Sequence, residues 1–524
     1  MQTYPPRSVD QINKRENRSL FYVNWRLLGI ASFLFLLFIL GFSVVQFGTT
    51  GLAGNDGYYH MKMGYLIRTE GLTPDFPWLP FTILNEASYY DHHLLYHVYL
   101  AMFASIDPAV DGGLGLTQGA KIASIFLPSL AFLAIWWLLK SQKVPYSWLW
   151  AMALFAISEA FLYRMSMPRA QSAALLLLVL GLHWLLQEKF KWLLPLGFVF
   201  VWTYNAFPVL LVLAGVYVTA VILLERRFIW QALVYPSIGI LLGLLINPYF
   251  PQNIEFILGH LAPKLGESAT RVGNEWSPYR TWTLVENSVG ALLAFLLGVL
   301  ALGWQKERID KRTLAALGLA VVFGMMLFQS RRFVEYFPPF ALIFLAFASA
   351  PILNEWQQRW RHSWQRWLLP AGLLILLIYP LGMTVRDGRE LLSNSKSPDH
   401  YAQAALWLNQ NTPAGSFIFQ TDWDDFTRLF FYHDDAIYTA GLDPTFMELE
   451  DPVRFAQWRD ITRGNIEQPG KIIRDEYGAD YVFTDLKHED FLEIAATDPL
   501  LKELYRDEYA AIFAVSAAVL SSIK

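Results

Sequence analysis

Ionisable residues gather in the segment that follows the first apolar run of the chain. The segment opens and closes with two polar runs, Gly54-Asn55-Asp56-Gly57-Tyr58-Tyr59-His60 and Tyr89-Tyr90-Asp91-His92-His93. Long connecting segments in compact folds tend to be functional. Asp56 is close enough to the apolar run to meet a polar headgroup while a lipid tail stays in the bilayer. Alternatively, Asp56 caps the helix that follows, because Asn-Asp-Gly is typical of turns.

The same segment contains a candidate site for a divalent cation such as Mg²⁺ or Mn²⁺. Asp56, Asp91 and His92 would supply carboxylate and imidazole ligands, and Asp91 is also a candidate catalytic carboxylate. Adjacent histidines point in different directions on any regular element. A solvated polar loop therefore explains His92 and His93 equally well.

Two arginines follow a late apolar run of the sequence. A guanidinium group matches the geometry of phosphate oxygens and keeps its charge at any relevant pH. Arg331 and Arg332 are therefore candidates for binding a phosphate or pyrophosphate, together with Arg169 and His60. The structural alternative is that the two arginines pair with Glu335 or with acidic residues of the loops.

A second long polar segment, residues 249–282, contains a carboxylate beside aromatic residues. Glu275 either contributes to an acidic site, binds an acceptor, or is an ordinary loop carboxylate. Trp276 and Tyr279 suit stacking against a sugar ring, and anchoring at a membrane surface explains them as well.

The composition indicates a protein of the membrane. Of 524 residues, 54% are hydrophobic and only 16% are charged, with a mean hydropathy of +0.31. The 20 Trp and 25 Tyr are typical of chains with many membrane–water boundaries. A formal net charge of -4 gives no argument for nucleic acid, and the absence of Cys excludes disulfides and thiolate metal sites.

Apolar runs predict about eleven transmembrane helices. The candidate spans are Leu27–Phe47, Ile122–Leu139, Trp148–Leu162, Ser172–Leu186, Trp192–Tyr204, Pro208–Leu224, Ala232–Ile246, Leu284–Leu302, Leu314–Phe328, Phe340–Leu353 and Trp367–Val385. The short apolar segment Leu94–Ile106 is interpreted as an amphipathic helix at the outer interface, not as a crossing.

Lys and Arg residues fall on alternate loops and set one orientation through the positive-inside rule. A cytoplasmic N-terminal segment (1–26) precedes a transmembrane domain (27–386), which has long outer loops at 49–118 and 249–282. The first apolar run lacks a cleavage pattern and is expected to remain as a helix. Arg331 and Arg332 then lie on the outer side, where that rule disfavours positive charge.

The polar, acidic composition after Arg386 predicts an extracytoplasmic α/β domain over residues 387–524. Ser397-Pro398 opens a helical pattern that continues to Asn411, and Leu486–Ile494 is also helical in pattern. Ser416–Gln420 and Tyr481–Phe483 are predicted strands.

The run Asp56-Gly57-Tyr58-Tyr59-His60 resembles the Asp-x-Tyr-Tyr-His signature of oligosaccharyltransferase catalytic subunits, within the GT-C superfamily of membrane glycosyltransferases. The loop continues in a similar way through Gly71, Pro74, Asp75 and Pro77. The plan of the chain is also similar, with an odd number of helices, a flexible late outer loop and a C-terminal extracytoplasmic domain.

The resemblance implies roles for several residues. Asp56 corresponds to the family's catalytic carboxylate and Glu275 to a metal-binding carboxylate in the late loop. Trp423 and Asp424 lie in a run similar to the family's acceptor-recognition motif, Trp-Trp-Asp-Tyr-Gly. The chain departs from the family at Tyr163–Arg169, which is basic where the family carries an acidic pair.

These observations predict a transferase that moves a sugar or oligosaccharide from a polyprenyl-phosphate or pyrophosphate donor to a protein, glycan or lipid acceptor. A transporter or flippase is the alternative, as is a non-catalytic scaffold of cell-envelope assembly. Ionisable residues are rare within the predicted spans, whereas transport pathways place them near the bilayer midplane. A prokaryotic plasma membrane is the expected location.

Overall fold

A computed structural model describes residues 25–264, 273, 275–305, 308–359 and 364–515. The N-terminal segment that we expect in the cytoplasm lies almost wholly outside the described residues. In the described part, a bundle of apolar helices is followed by a smaller domain built around a mixed sheet.

The first half of the bundle contains long helices and the short helices of the first outer loop. In chain order these are α1 (Trp25–Gln46), α2 (Asp56–Glu70), α3 (Leu94–Ala101), α4 (Pro108–Asp111), α5 (Leu114–Ser141), α6 (Ser147–Ala153), α7 (Glu159–Ser166) and α8 (Gln171–Leu186). The second half contains α9 (Leu193–Thr203), α10 (Pro208–Glu225), α11 (Gln231–Leu245), α12 (Gln252–Lys264), α13 (Thr281–Trp304), α14 (Lys311–Gln329), α15 (Phe337–Arg359) and α16 (Gln365–Ser393).

Seven of these helices are long and apolar enough to cross a bilayer, namely α1, α5, α10, α13, α14, α15 and α16. The helices α9 and α11 are apolar but shorter, and α7 with α8 passes the same test only as one bent pair. The chain is therefore an integral multi-pass membrane protein with an α-helical transmembrane domain, as the composition predicts.

The predicted span Trp148–Leu162 is not one helix. A short 3₁₀ turn ends at Ala156, and the side chain of Ser158 then caps α7 by accepting a hydrogen bond from the backbone of Phe161 at 3.1 Å. The helix α7 ends near Pro168, and α8 leaves at an angle of 106°. A capping serine and a proline thus break an apolar run that hydropathy alone treats as continuous.

Glycines let two short spans, α9 and α11, pack with their backbones in contact. A Cβ atom on Gly239 would lie 2.0 Å from the carbonyl oxygen of Leu194, and one on Gly197 would lie 2.7 Å from that of Pro236. Small residues at such interfaces are the usual way in which membrane helices approach closely. The close packing of α9 on α11 therefore depends on glycine at these two positions, because any larger side chain would push the backbones apart.

The helix α3 is too short to cross a bilayer, and it packs on α2 within the first outer loop. Its buried side chains include Leu94, His97 and Leu100. A Cβ atom on Gly64 of α2 would lie 2.9 Å from the Cβ atom of Leu100. One face of the segment that we predict as an interfacial helix is thus covered by protein.

The C-terminal domain contains a five-stranded sheet in the order β2-β1-β3-β5-β4. Its strands are β1 (Phe417–Gln420), β2 (Ile437–Tyr438), β3 (Tyr481–Asp485), β4 (Lys502–Arg506) and β5 (Ala510–Ala514). The strand β1 is parallel to β2 and β3, whereas β5 is antiparallel to β3 and β4. The helices are α17 (Ala402–Asn411), α18 (Phe426–Tyr432), α19 (Pro444–Glu450), α20 (Pro452–Thr462), α21 (Gly470–Asp475) and α22 (Glu489–Ala495).

The first outer loop is held against this domain by backbone and charged contacts. The amide of Tyr438 donates to the carbonyl of Trp78 at 2.9 Å, and the amide of Ile83 donates to the carbonyl of Phe446 at 3.1 Å. The buried Lys62 of α2 forms a 2.9 Å salt bridge with Asp434. The C-terminal domain and the first outer loop therefore form one continuous structure at the same end of the bundle.

Replacing Gly239 with Ala should lower the free energy of unfolding by about 1–3 kcal/mol, because the added methyl group forces the two backbones apart. Gly215→Ala on α10 is the matched control, since a Cβ atom there meets nothing within 4 Å. Thermal unfolding of both variants in the same detergent measures the difference. Equal midpoints would contradict the close packing of α9 on α11.

Candidate active site

A cavity of about 700 Å³ opens where the outer loops meet the C-terminal domain. Its walls include every predicted site residue except Asp91, that is Asp56, His60, His92, Arg169, Glu275, Trp276, Tyr279, Arg331, Arg332, Trp423 and Asp424. Residues that are up to 368 positions apart in the sequence therefore line one cavity, which we call the outer pocket.

Asp56 is the first residue of α2, and its surroundings depend on two glycines. A Cβ atom on Gly57 would lie 2.2 Å from Pro168, and one on Gly54, whose φ is +73°, would lie 2.4 Å from Met167. Both glycines therefore allow the start of α2 to touch the bend between α7 and α8. This approach places the Asp56 carboxylate 3.1 Å from the guanidinium of Arg169.

The alternative of Asp56 as a helix cap finds no support in the geometry. The N-terminus of α2 has no side-chain capping bond, and Asn55, which precedes the helix, bonds instead to the C-terminal domain. The Asp56 side chain is 30% exposed and faces the pocket. An acidic residue in the first turn still interacts favourably with the helix dipole.

Two arginines from the bend share one carboxylate of the late outer loop. Arg164 and Arg169 each donate to the same Oε1 of Glu275 at 2.7 Å. Arg164 also donates through Nε to the fully buried Glu335 at 3.0 Å. Glu335 is thus the partner of Arg164, and it is not the partner of Arg331 or Arg332 that we considered from the sequence.

Burial and charge act in opposite directions on the two pocket carboxylates. Burial raises the pKa of Asp56 above its ordinary value, and the nearby Arg169 only partly offsets this effect. Burial would also raise the pKa of Glu275, but Arg164, Arg169 and Arg332 together hold it well below its ordinary value. The site therefore contains one firmly ionised carboxylate and one that accepts a proton more readily.

Arg331 and Arg332 make no salt bridge within the described residues. The guanidinium of Arg331 lies over the ring of Tyr279 at 5.1 Å, and that of Arg332 lies over Trp276 at 4.8 Å. Arg332 also donates to the hydroxyl of Tyr204. Both cations line the pocket without a carboxylate partner, so their charge remains available to an anion.

The groups that surround the carboxylates of Asp56 and Glu275 do not fit a site for Mg²⁺ or Mn²⁺. These hard cations need several oxygen ligands, and here one nitrogen of Arg169 lies between the two carboxylates, 3.1 Å from Asp56 and 2.7 Å from Glu275. The third ligand considered from the sequence, Asp91, is bonded to His97 at 2.7 Å. A guanidinium therefore occupies the place where the resemblance implies a metal.

The C-terminal domain contributes the opposite wall of the pocket through a 3₁₀ turn at Trp423–Asp425. The carbonyl of Asp424 accepts a hydrogen bond from Asn55 at 2.6 Å, so this turn is fixed directly beside Asp56. Burial raises the pKa of the Asp424 carboxyl. The turn thus lies across the pocket from the bend between α7 and α8, beside the first residue of α2.

Sequence reasoning missed His97, which contacts both His60 and Asp91 below the pocket. The available signal was the spacing of His93 and His97, four residues apart, which places both rings on one face of a helix. Tyr204 was also missed, because no local pattern distinguishes it from an interfacial tyrosine.

Arg428 fastens the C-terminal domain to the residue beside Asp56. The side chain is 1% exposed and donates to the side-chain oxygen of Asn55 at 2.7 Å and to the carbonyl of Ser397 at 2.7 Å. Its guanidinium also stacks on Tyr58 at 4.3 Å. One buried cation therefore joins α2, the linker after α16 and the C-terminal domain.

The fold is similar to that of solved membrane glycosyltransferases. The Archaeoglobus fulgidus oligosaccharyltransferase in its apo form aligns with a TM-score of 0.65 at 14% identity, covering 95% of this chain and 75% of that one. ArnT from Cupriavidus metallidurans bound to undecaprenyl phosphate aligns with a TM-score of 0.57 at 15% identity, covering 95% and 99%.

The arabinofuranosyltransferase AftD from Mycobacteria also aligns, with a TM-score of 0.57 at 15% identity over 94% of this chain and 42% of that one. No protein-family model matches the sequence, and no curated protein matches it. The chain therefore has the GT-C fold, as the resemblance predicts, and its chemistry must be argued from its own residues.

Replacing Arg428 with Ala should lower the free energy of unfolding by roughly 3 kcal/mol, because hydrogen bonds to a charged group each contribute about 1.5–3 kcal/mol. Thermal unfolding and limited proteolysis near residue 396 measure the loss. Arg474→Ala removes an exposed arginine that pairs with its neighbour Asp475, and it should change nothing measurable. Equal stability of the two variants would argue against the fastening role.

Proposed function

We propose that this chain is a membrane glycosyltransferase. It takes a sugar or oligosaccharide from a polyprenyl-phosphate or pyrophosphate donor and transfers it to an extracytoplasmic acceptor. The observation that carries the proposal is that Asp56 lines one pocket with Arg331 and Arg332, two arginines that form no salt bridge with a carboxylate among the described residues. The GT-C fold supports this assignment.

In the proposed reaction, an oxygen or nitrogen atom of the acceptor attacks the anomeric carbon of the donor sugar. The bond from that carbon to the phosphate oxygen breaks, and the lipid phosphate or pyrophosphate leaves with the electron pair. Asp56 takes the proton of the acceptor as a general base or orients the attacking group. Arg331 and Arg332 stabilise the charge that develops on the leaving phosphate.

Arg169 orients the carboxylate of Asp56 and favours its ionised form. The ion pair with Arg169 orients the carboxylate, while burial raises the pKa of Asp56 towards the range that suits a base. The positive charge of the cluster performs in this proposal the electrostatic role that a divalent cation would otherwise have. His60 lines the same pocket one helical turn after Asp56.

The lipid donor is supported by the chemistry of the pocket and by its location. Solved relatives of the same fold were determined with undecaprenyl phosphate, in ArnT, and with dolichol-phosphate and an inhibitory peptide, in AglB. Polar groups at the outer end of apolar helices suit a headgroup whose tail remains in the bilayer. With a lipid-linked donor, the proposed transfer does not need a soluble nucleotide sugar.

The acceptor is proposed to enter between the late outer loop and the C-terminal domain. Trp276 and Tyr279 form one side of this opening, and Trp423 and Asp424 form the other. A protein, a glycan or a lipid would each fit an opening with aromatic and carboxyl groups. The proposed topology has the N-terminus in the cytoplasm and the C-terminal domain outside, in a prokaryotic plasma membrane.

Asp56→Asn should reduce transfer about 10²- to 10⁴-fold, the usual contribution of a general base, and should leave the thermal midpoint unchanged. The assay follows labelled sugar from a polyprenyl-phosphate donor pool to membrane extract in nanodiscs. Glu86→Gln is the matched control, because it makes the same chemical change at an exposed position of the same loop. Transfer at the wild-type rate in Asp56→Asn would refute the proposed role and favour a scaffold or a transporter.

Arg169→Gln should move the acid limb of the pH–rate profile to higher pH. Arg169 lowers the pKa of Asp56, which burial already raises, so its removal raises that pKa further and the base is lost earlier as pH falls. Arg331→Gln should raise the KM for the donor and leave the limb in place, since Arg331 is not among the charges that most affect Asp56. An acid limb that stays fixed in Arg169→Gln would show that another group titrates.

A further inference from the structure

Three buried histidines converge beside the outer pocket. His60 lies on α2, while His93 and His97 lie at the start of α3, and one ring nitrogen from each falls within 4.8 Å of the others. His60 and His93 also line the pocket, whereas His97 is fully buried beneath it. The three rings have the number and the spacing of a metal-ligand set.

Asp91 orients this cluster from behind. Its carboxylate lies 2.7 Å from Nδ1 of His97 and accepts a hydrogen bond from the backbone amide of His93 at 2.9 Å. A carboxylate behind a histidine is the usual arrangement around metal ligands, because it fixes the ring and makes the other nitrogen more basic. The Nε2 atom of His97 is hydrogen-bonded to Nδ1 of His60 at 2.8 Å, so a bound ion would take the place of the proton between these two nitrogens.

One nitrogen of the cluster is buried without a hydrogen bond. Nδ1 of His93 has no hydrogen-bond partner within the described residues, although only 8% of this residue is exposed. An unsatisfied buried polar atom destabilises the fold, so its presence beside two other histidines calls for an explanation.

We propose that His60, His93 and His97 bind a divalent transition-metal ion of the zinc class, with its remaining coordination position facing the outer pocket. Imidazole nitrogens suit zinc and its neighbours, whereas Mg²⁺ and Mn²⁺ prefer oxygen ligands. The ligand set differs from the Asp56, Asp91 and His92 set considered from the sequence. Arg169, which lies between Asp56 and Glu275, is not part of this set.

A bound ion would connect α2 to α3 through side chains on both helices. His60 is one helical turn after Asp56, so the ion fixes the rotation of the helix that carries the proposed base. The proposal concerns metal binding, and its test does not need glycosyl transfer. Failure of one proposal can therefore be distinguished from failure of the other.

The test uses the full chain in detergent, without a histidine tag, stripped with a chelator and dialysed against Zn²⁺. Elemental analysis should find close to one zinc ion per chain in the wild type. His93→Gln and His97→Gln should reduce the content to background, and Asp91→Asn should weaken binding about 10- to 100-fold. His92→Gln is the matched control, because it changes the adjacent histidine and should retain the ion.

A second measurement keeps the test informative if His97→Gln does not fold. Zn²⁺ should raise the thermal midpoint of the wild type but not that of His93→Gln, because an ion that binds only the folded state stabilises it. Absence of zinc from the reloaded wild type, or equal retention by His93→Gln and His92→Gln, would overturn the proposal. The histidines would then be a hydrogen-bonded cluster without a metal.

Discussion

Arg169 shares one guanidinium nitrogen between two carboxylates that belong to different outer loops. Asp56 comes from the start of α2 and Glu275 from the late loop, and Arg164 extends the same network to Glu335. Each charged side chain of this network pairs with residues of other helices or loops, so no single helix or loop positions the site. Within this network only the Arg164–Glu335 pair is buried, and removal of one member of a buried pair typically costs about 3–5 kcal/mol, because the other charge is left uncompensated.

This network also determines which ions the site accepts. The family that the first outer loop resembles uses carboxylates around a cation, but here an arginine from the bend at Pro168 is already the cation. In the proposed reaction, the charge that stabilises the leaving phosphate would therefore come from arginines. The nitrogen-rich cluster around His97 is a separate environment with a different preference for metals.

Much of the architecture follows from local patterns. Apolar runs identified the long helices of the bundle, and short runs of β-branched and aromatic residues identified β1 and β3 in the C-terminal sheet. The break at Ser158 was not predicted, because hydropathy averages over a capping residue. The strands β2, β4 and β5 were missed: β2 has only two residues, β4 is largely exposed and charged, and β5 is rich in alanine, which has a low preference for strands.

The candidate site was predicted by residue type, but its connections were not. The paired Arg331 and Arg332 at the end of an apolar run were visible in the sequence, as was the polar run around Asp56. The pairing of Arg164 with Glu335 joins positions 171 residues apart, and it depends on a helix bend that no local pattern encodes. Ion pairs between residues so far apart in the sequence can be identified only once the fold is known.

The buried contact between Arg428 and Asn55 has a mechanical consequence. Asn55 is covalently adjacent to Asp56, and Arg428 belongs to the domain that forms the opposite wall of the pocket. A hinge movement of that domain would pull on the backbone of the first turn of α2. The Arg428–Asn55 contact therefore couples the position of the C-terminal domain to the backbone beside Asp56.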